Sequence, residues 1–330
     1  MSSLQSTTTQ TITPIPLSTR YGDWRDDLLK NGYTVIKAAI PPDRANSYQQ
    51  RAFDWLKSFN TPLDFENPDT WVRENLPVLT DINTFENYSV VHEKFMWDAR
   101  LEPGVFGAFA KLWGTEELLV SFDSLNVTFP NRKDKPRKPP WPHIDQSPLR
   151  RGLQCVQGII ALSKAGPEDG SLMVVPRSNN HVEEYFDTKT DPGSWDKIDW
   201  RVFDEEEMEF FHSQGLTPIK VEVEPGDLIL WDSRTIHWGA EPEAESNTIR
   251  TVIYVSYSPA ALASAESIKM KQQIFRDHGA TTHWAHDNIF PRDLLAYLPD
   301  GSVDPRNRSE PLEPPELTDR LLKVAGMKPY

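Results

Sequence analysis

Glu224-Pro225-Gly226-Asp227-Leu228-Ile229-Leu230-Trp231-Asp232-Ser233-Arg234-Thr235-Ile236-His237 is the stretch on which the reading of the fold turns. A Pro-Gly turn is followed by an apolar run too short for a buried helix, then by a polar loop that ends on an imidazole. Such a run, bounded by turn residues, reads as a buried strand. Working outward, the same signature recurs at Leu118–Phe129, at Gln154–Leu162, at Leu172–Val175 after the turn Glu168-Asp169-Gly170, at Ile219–Val223, at Asp227–Trp231 and at Ile249–Ser258. Several short strands at this spacing predict a sandwich or a double-stranded barrel.

Helical signals flank them. Trp24 to Asn31 reads as a short helix closed by Gly32, and Tyr33–Ala38 as a first strand. Pro41-Pro42-Asp43 opens a helix with Ala45, Tyr48, Ala52, Trp55, Leu56 and Phe59 at helical spacing. Residues 60–100 carry mixed signals, and no element is assigned there. An acidic, Trp-containing insert at 183–215 interrupts the strands, Ala260–Arg276 reads as helix, and a Pro-rich tail follows Pro299. The Ser/Thr/Gln-rich residues 1–17 predict a disordered tail. Residues 18–330 are then expected to form one domain: a β core, an N-terminal helical layer and a C-terminal extension.

The 330 residues carry a formal charge of −14, which argues against nucleic acid or an anionic membrane as main partner. No stretch approaches the roughly 18 apolar residues that span a bilayer. Cys155 is the single cysteine, so neither an internal disulfide nor a thiolate-rich zinc site is open to this chain. The first 19 residues hold no Lys or Arg and no apolar run, which disfavours secretory and mitochondrial signals. A cytoplasmic location is the expectation. The oligomeric state is open, with a homodimer among the options.

Two His and one carboxylate on one face leave three iron positions free for co-substrate and oxygen. In an extended segment residues i and i+2 point the same way, so His143-Ile144-Asp145 presents two such ligands together. Chance alone yields on the order of one His-x-acid in a chain of this composition, and His181-Val182-Glu183 is a second. His237 and Arg250 decide between them. Strand alternation puts Arg250 on one face with Val252, Tyr254 and Ser256. A guanidinium entering an apolar strand needs an anion, and the distal carboxylate of 2-oxoglutarate would answer it with a bidentate pair. Asp232 and Arg234 read as residues that pin the loop before His237.

These residues resemble the phytanoyl-CoA dioxygenase family of Fe(II)/2-oxoglutarate oxygenases over roughly Asp23 to Pro291. The resemblance rests on Leu28 to Lys37 followed by Pro41-Pro42, on Trp141-Pro142-His143-Ile144-Asp145-Gln146, on Asp169-Gly170 to Ser178, and on Pro225-Gly226-Asp227 through His237 to Arg250. It implies a mainly β fold with flanking helices, a double-stranded β-helix of the jelly-roll or cupin kind. It makes His143, Asp145 and His237 the iron ligands and Arg250 the 2-oxoglutarate anchor, with Asn126 and Gln157 as further co-substrate contacts. It implies Fe(II), 2-oxoglutarate and O2, with release of succinate and CO2 and attack on an unactivated carbon. Asp145 disfavours halogenation, because family halogenases carry a small residue there. Arg177 stands where the family usually has Gly, which makes that turn less permissive. A natural-product-tailoring member of fungal type is the closest general likeness.

The substrate is expected to be a small molecule. Arg132-Lys133-Asp134-Lys135-Pro136-Arg137-Lys138, five basic residues in seven, could steer an anionic one. Arg150 or Arg151 could meet its carboxylate, and Trp141, Phe129, Trp238 and Tyr254 could line an apolar pocket. His283 and His286 lack a third ligand and read as structural. Two alternatives stay open: a cupin-like metal enzyme that does not use 2-oxoglutarate, and a non-catalytic small-molecule-binding barrel.

Overall fold

Gly226 adopts φ 94°, and a Cβ there would lie 2.1 Å from the carbonyl oxygen of Ile40. Only glycine fits this turn. Its own N–H donates to Ala161 and its carbonyl accepts from Ile40, so one residue ties three segments. In the computed structural model residues 19–330 are described, and the tail expected at 1–17 lies outside them.

Along the chain come α1 (Trp24–Asn31), β1 (Tyr33–Ile36), α2 (Pro42–Lys57), β2 (Thr84–Phe85), α3 (Lys94–Arg100) and α4 (Pro103–Trp113). Then follow β3 (Leu118–Val120), β4 (Leu125–Thr128), β5 (His143–Ile144), β6 (Val156–Ala161), β7 (Ser171–Val174), α5 (Val182–Lys189), β8 (Arg201–Val202) and α6 (Glu205–His212). The last are β9 (Ile219–Lys220), β10 (Leu228–Asp232), β11 (His237–Ala240), β12 (Arg250–Pro259), α7 (Ala265–Arg276) and α8 (Asp319–Val324).

The strands form two antiparallel sheets. The larger runs β1-β10-β6-β12-β4-β2, with β3 also on β12, and the smaller runs β8-β5-β11-β7-β9. This is a double-stranded β-helix with flanking helices. Strand alternation sorts the side chains: Ile159, Ala161, Ile229, Trp231 and Val252 face the smaller sheet's Leu172 and Val174. Leu228, Leu230, Ile253 and Val255 face outward, against Leu28, Ala52, Trp55, Val105 and Phe109 of the helical layer. Burial on both faces explains why these strands read as continuous apolar runs.

Four sequence expectations change. The long strand over Leu118–Phe129 is broken: Val120 pairs with Tyr257 and Leu125 with Ile253, so four residues oppose three. That is a β-bulge, and it reorients Asp123. The buried Arg100 holds it, donating to the carbonyls of Val91 and Asp123, both at 2.6 Å. Second, residues 60–100, left without an element, hold β2 and α3, and α4 follows them. In α4 the buried Val105, Phe106, Ala108, Phe109 and Leu112 share one face that glycines interrupt; Gly104 is there because a Cβ would lie 2.0 Å from the Ala39 carbonyl. Third, the 183–215 insert is ordered. Tyr185, Phe186, Phe203, Met208 and Phe211 pack on Ile144, Ile236 and Trp238 behind the smaller sheet. Fourth, Arg177 takes φ 71°. It enters the glycine-type conformation despite its Cβ, at a strain of about 1 kcal/mol.

Candidate metal centre and its cavity

His143 and His237 face each other because β5 and β11 pair antiparallel with these two residues in register. Their ring centroids are 4.2 Å apart. Asp145 follows β5, and its backbone N–H donates to the Ser233 carbonyl at 2.9 Å, which fixes the loop over the strand pair. One carboxylate oxygen lies 3.2 Å from His237 Nε2 and the other 3.8 Å from His143 Nε2. All three residues are buried, and one ligand atom from each falls within 4.8 Å of the others.

Hydrogen bonding fixes the tautomers. Nδ1 of His143 faces the Trp141 carbonyl at 3.1 Å, and Nδ1 of His237 faces the Thr235 carbonyl at 2.8 Å. A carbonyl only accepts, so each Nδ1 carries the proton and each Nε2 keeps its lone pair on the Asp145 side. Trp141 stacks on His143 at 4.2 Å and 5°, which fixes the ring plane. Burial, reinforced by the neighbouring His237, pushes His143 down to about 3, so its imidazole is neutral. Burial alone would raise the Asp145 carboxyl, but His143 and His237 outweigh it and hold it well below the usual carboxylate range. Two imidazoles that offer Nε2 and an ionised carboxylate are the donor set that suits Fe(II).

Gln157 lines the cavity with its amide nitrogen turned to the metal face. Its Nε2 donates to Asp145 Oδ2 at 2.9 Å, from β6, and orients that carboxylate. Arg250, 8% exposed at the head of β12, donates from Nη1 to Asn126 Oδ1 at 2.9 Å. Asn126 also accepts from Thr128 and donates to the Ile82 carbonyl at 2.7 Å, so its amide is fully engaged in positioning the guanidinium. Among the described residues no carboxylate lies within 4.0 Å of Arg250.

These groups open on one cavity of about 760 Å³, within the range of small-molecule sites. Trp141, Trp238 and Tyr254 line it. Two other candidates do not. Phe129 turns into the core against Trp71, with ring centroids 5.4 Å apart. Arg150 is held by Asp199 at 2.9 Å and Asp287 at 3.0 Å, behind the wall. Arg151 pairs with Asp187 at 2.6 Å. His181 and Glu183 are remote from the centre: the first pairs with Glu184, and the second takes Arg234 at 3.0 Å. Arg234 also holds Asp232 at 2.7 Å, pinning the loop before His237. Burial pushes the Cys155 thiol up to about 12, which removes it as a nucleophile.

The basic segment is neutralised by its own surroundings. Arg132 pairs with Asp134, Lys133 with Asp69, Lys135 with Glu241 and Arg137 with Glu243. Lys138 alone of the five reaches the cavity, over the Trp141 ring at 5.5 Å. His283, which the sequence reads as structural, and Trp284, which it does not single out, line the wall. Nothing local in 280–292 marks it; only its docking on the bulge does, through paired bonds between Phe122 and Thr281 at 2.8 and 2.9 Å.

Comparison with known proteins bears on this site. The protein named Ava biosynthesis cluster protein O of Aspergillus versicolor is 38% identical over 271 residues, 81% of this chain and 87% of that one. A crystal structure of the epimerase SnoN in complex with Fe3+, alpha ketoglutarate and nogalamycin RO superposes with a TM-score of 0.52 at 15% identity, covering 90% of this chain and 95% of that one. EctD from S. alaskensis with bound Fe gives 0.52 at 20% identity, covering 76% and 83%. At these identities the two structures share the fold. No helix among the described residues is long and apolar enough to cross a membrane. The sequence pattern described as Phytanoyl-CoA dioxygenase (PhyH) matches residues 28–250. The chain belongs to the phytanoyl-CoA dioxygenase family and is a 2-oxoglutarate-dependent dioxygenase that uses iron.

Proposed function

We propose that His143, Asp145 and His237 hold the Fe(II), that Arg250 and Asn126 anchor the distal carboxylate of 2-oxoglutarate, and that the chain hydroxylates, desaturates or epoxidises an unactivated carbon of a small natural product. Arg250 is the observation that carries the reading. A buried guanidinium without an anion costs several kcal/mol, and this one opens on the cavity that holds the His-Asp-His face. A dicarboxylate bound by its other end at the metal answers both demands.

Iron(II) and 2-oxoglutarate supply the oxidative decarboxylation that yields succinate and CO2 and drives attack on the C–H bond. The chain's share is placement. Gln157 orients Asp145, Trp141 fixes the His143 ring, and Asn126 aims Arg250. Trp231, Trp238 and Tyr254 give the cavity an apolar lining beside the centre. The Aspergillus versicolor relative, by its name, supports a place in secondary metabolism. Residues 18–330 are read as one domain, because insert and extension both contribute to one cavity wall. A cytoplasmic location belongs to the same reading. An anionic substrate would meet only Lys138 of the basic segment, whose other four basic residues are spent on protein carboxylates.

The test is turnover of 1-labelled 2-oxoglutarate to CO2 with Fe(II) and O2, with and without candidate natural products. Release of label that a true substrate stimulates supports the reading. Absence of 2-oxoglutarate consumption under every condition refutes it.

A further inference from the structure

Three consecutive residues of the cavity wall, Thr282, His283 and Trp284, each carry a buried polar atom without a partner among the described residues: Oγ1, Nε2 and Nε1 in turn. They lie beyond residues 28–250, which the family pattern covers. Buried polar atoms are rarely left so. Trp284 says what is wanted. It is 2% exposed, and an indole N–H only donates, so the group it lacks is an acceptor.

The indole is held in place. Thr281 is pinned to the bulge through paired bonds with Phe122 at 2.8 and 2.9 Å. The Arg150 guanidinium lies over the Trp284 ring, 4.4 Å from its centroid, and is itself fixed by Asp199 at 2.9 Å and Asp287 at 3.0 Å. A donor fixed in advance needs little ordering when a ligand arrives. Trp231 also has an unpartnered N–H, but it stands beside His237 at the metal face, with ring centroids 5.4 Å apart.

Charge narrows the kind of acceptor. The carboxylates on this wall are answered from within: His283, Arg292 and Arg100 favour the charged form of Asp123, and Arg292 pairs with Glu86 at 3.4 Å. An anionic ligand would lie against those two carboxylates, and a hydrocarbon would leave the indole unmet. A neutral carbonyl oxygen avoids both costs. At the mouth stand Ile198, Trp200 and Phe290, each at least half exposed, which suit an apolar ring system.

We propose that Trp284 is a specificity-determining residue, whose indole N–H donates to a neutral carbonyl oxygen on a substrate with an apolar, ring-bearing body. The body lies against Ile198, Trp200 and Phe290. This rests on the oxygenase reading above and names the substrate class for that site.

The experiment uses the full chain loaded with Zn(II), which stands in for iron without redox chemistry, and with 2-oxoglutarate. Three size-matched probes are followed by calorimetry: 2-acetylnaphthalene, 2-isopropenylnaphthalene and 2-naphthoate. The ketone is expected to bind at least about fivefold more tightly than the alkene of the same shape, because only the ketone satisfies the buried donor. Trp284→Phe keeps a ring and removes the N–H. It should bring ketone and alkene within about twofold of each other, with the alkene itself changed by less than about threefold. Four results overturn the proposal: no measurable binding of the ketone, an alkene bound as tightly as the ketone, tightest binding of naphthoate, or a ketone preference that survives in Trp284→Phe. Should that variant not fold, the ketone-to-alkene ratio of the unaltered protein decides, since the alkene lacks only the acceptor. Titration of the unaltered protein with Zn(II) and then 2-oxoglutarate reads the metal and co-substrate sites independently. Its failure strikes the oxygenase reading, whereas probe results without ketone selectivity strike only the substrate class.

Discussion

Replacing Gln157 by Met keeps the length of the side chain and removes the donor that holds Asp145. The bond is 2.9 Å long, its acceptor is an ionised carboxylate, and Gln157 is 6% exposed. A hydrogen bond to a charged group contributes about 1.5–3 kcal/mol, which corresponds to roughly a 10- to 100-fold loss in metal affinity. The backbone bond from Asp145 to Ser233 is untouched and keeps the loop in place. Anaerobic Fe(II) titration of Gln157→Met should therefore show a Kd raised by at least about tenfold. The KM for 2-oxoglutarate at saturating iron should change by less than about threefold, because Arg250 and Asn126 stay as they are. The opposite pattern, an unchanged metal Kd with a sharply raised KM, would refute the reasoning. It would return Gln157 to the co-substrate, as the sequence alone suggests.

Arg250→Lys should raise the KM for 2-oxoglutarate about tenfold or more, since an ammonium lacks the planar fork, while iron binding measured by titration stays within about twofold. Arg177→Gly should raise stability in urea by about 1 kcal/mol, by relieving a Cβ at φ 71°; unchanged stability would show the loop to be unstrained. Burial pushes His92 down to about 3, with Nε2 bound to the Gly279 carbonyl. The unfolded chain therefore takes up a proton near pH 6.5 that the folded chain refuses. The stability this neutral ring contributes is intact above pH 6.5 and falls between 6.5 and 3, with a loss of about 2 kcal/mol by pH 5. Urea melts of metal-free protein across that range should show it, and His92→Gln should reduce the loss by about 2 kcal/mol at pH 5, with buried His143 and His286 supplying the remainder.

Much of the metal face is legible because its spacing is local. His143 and Asp145 alternate along one segment, and His237 follows a strand whose Pro-Gly turn is unmistakable. Arg250 is legible because a lone guanidinium in an apolar strand demands an anion wherever the strand lies. The strand over 118–129 was misread because a bulge depends on what the neighbouring strand offers. Phe129 and Arg150 were misplaced for a similar reason: residue type gives a preference for apolar or anionic contact, and the available partner depends on which segment packs alongside. Helix α3 is short and covered on nearly all sides, whereas the apolar stripe of α4, from Val105 to Leu112, is interrupted by glycine.

By itself the sequence determined the strand-rich class, the iron-binding triplet of residue types and the need for an anion at Arg250. These follow from short-range patterns and from the cost of burying charge. Only the tertiary structure decided that Gln157 serves Asp145, that the basic segment is spent on its neighbours, and that Asp123, Glu86, His283 and Trp284 share one wall. Most of these contacts join different strands and loops, are set by how sheets and loops dock, and are encoded by no local pattern.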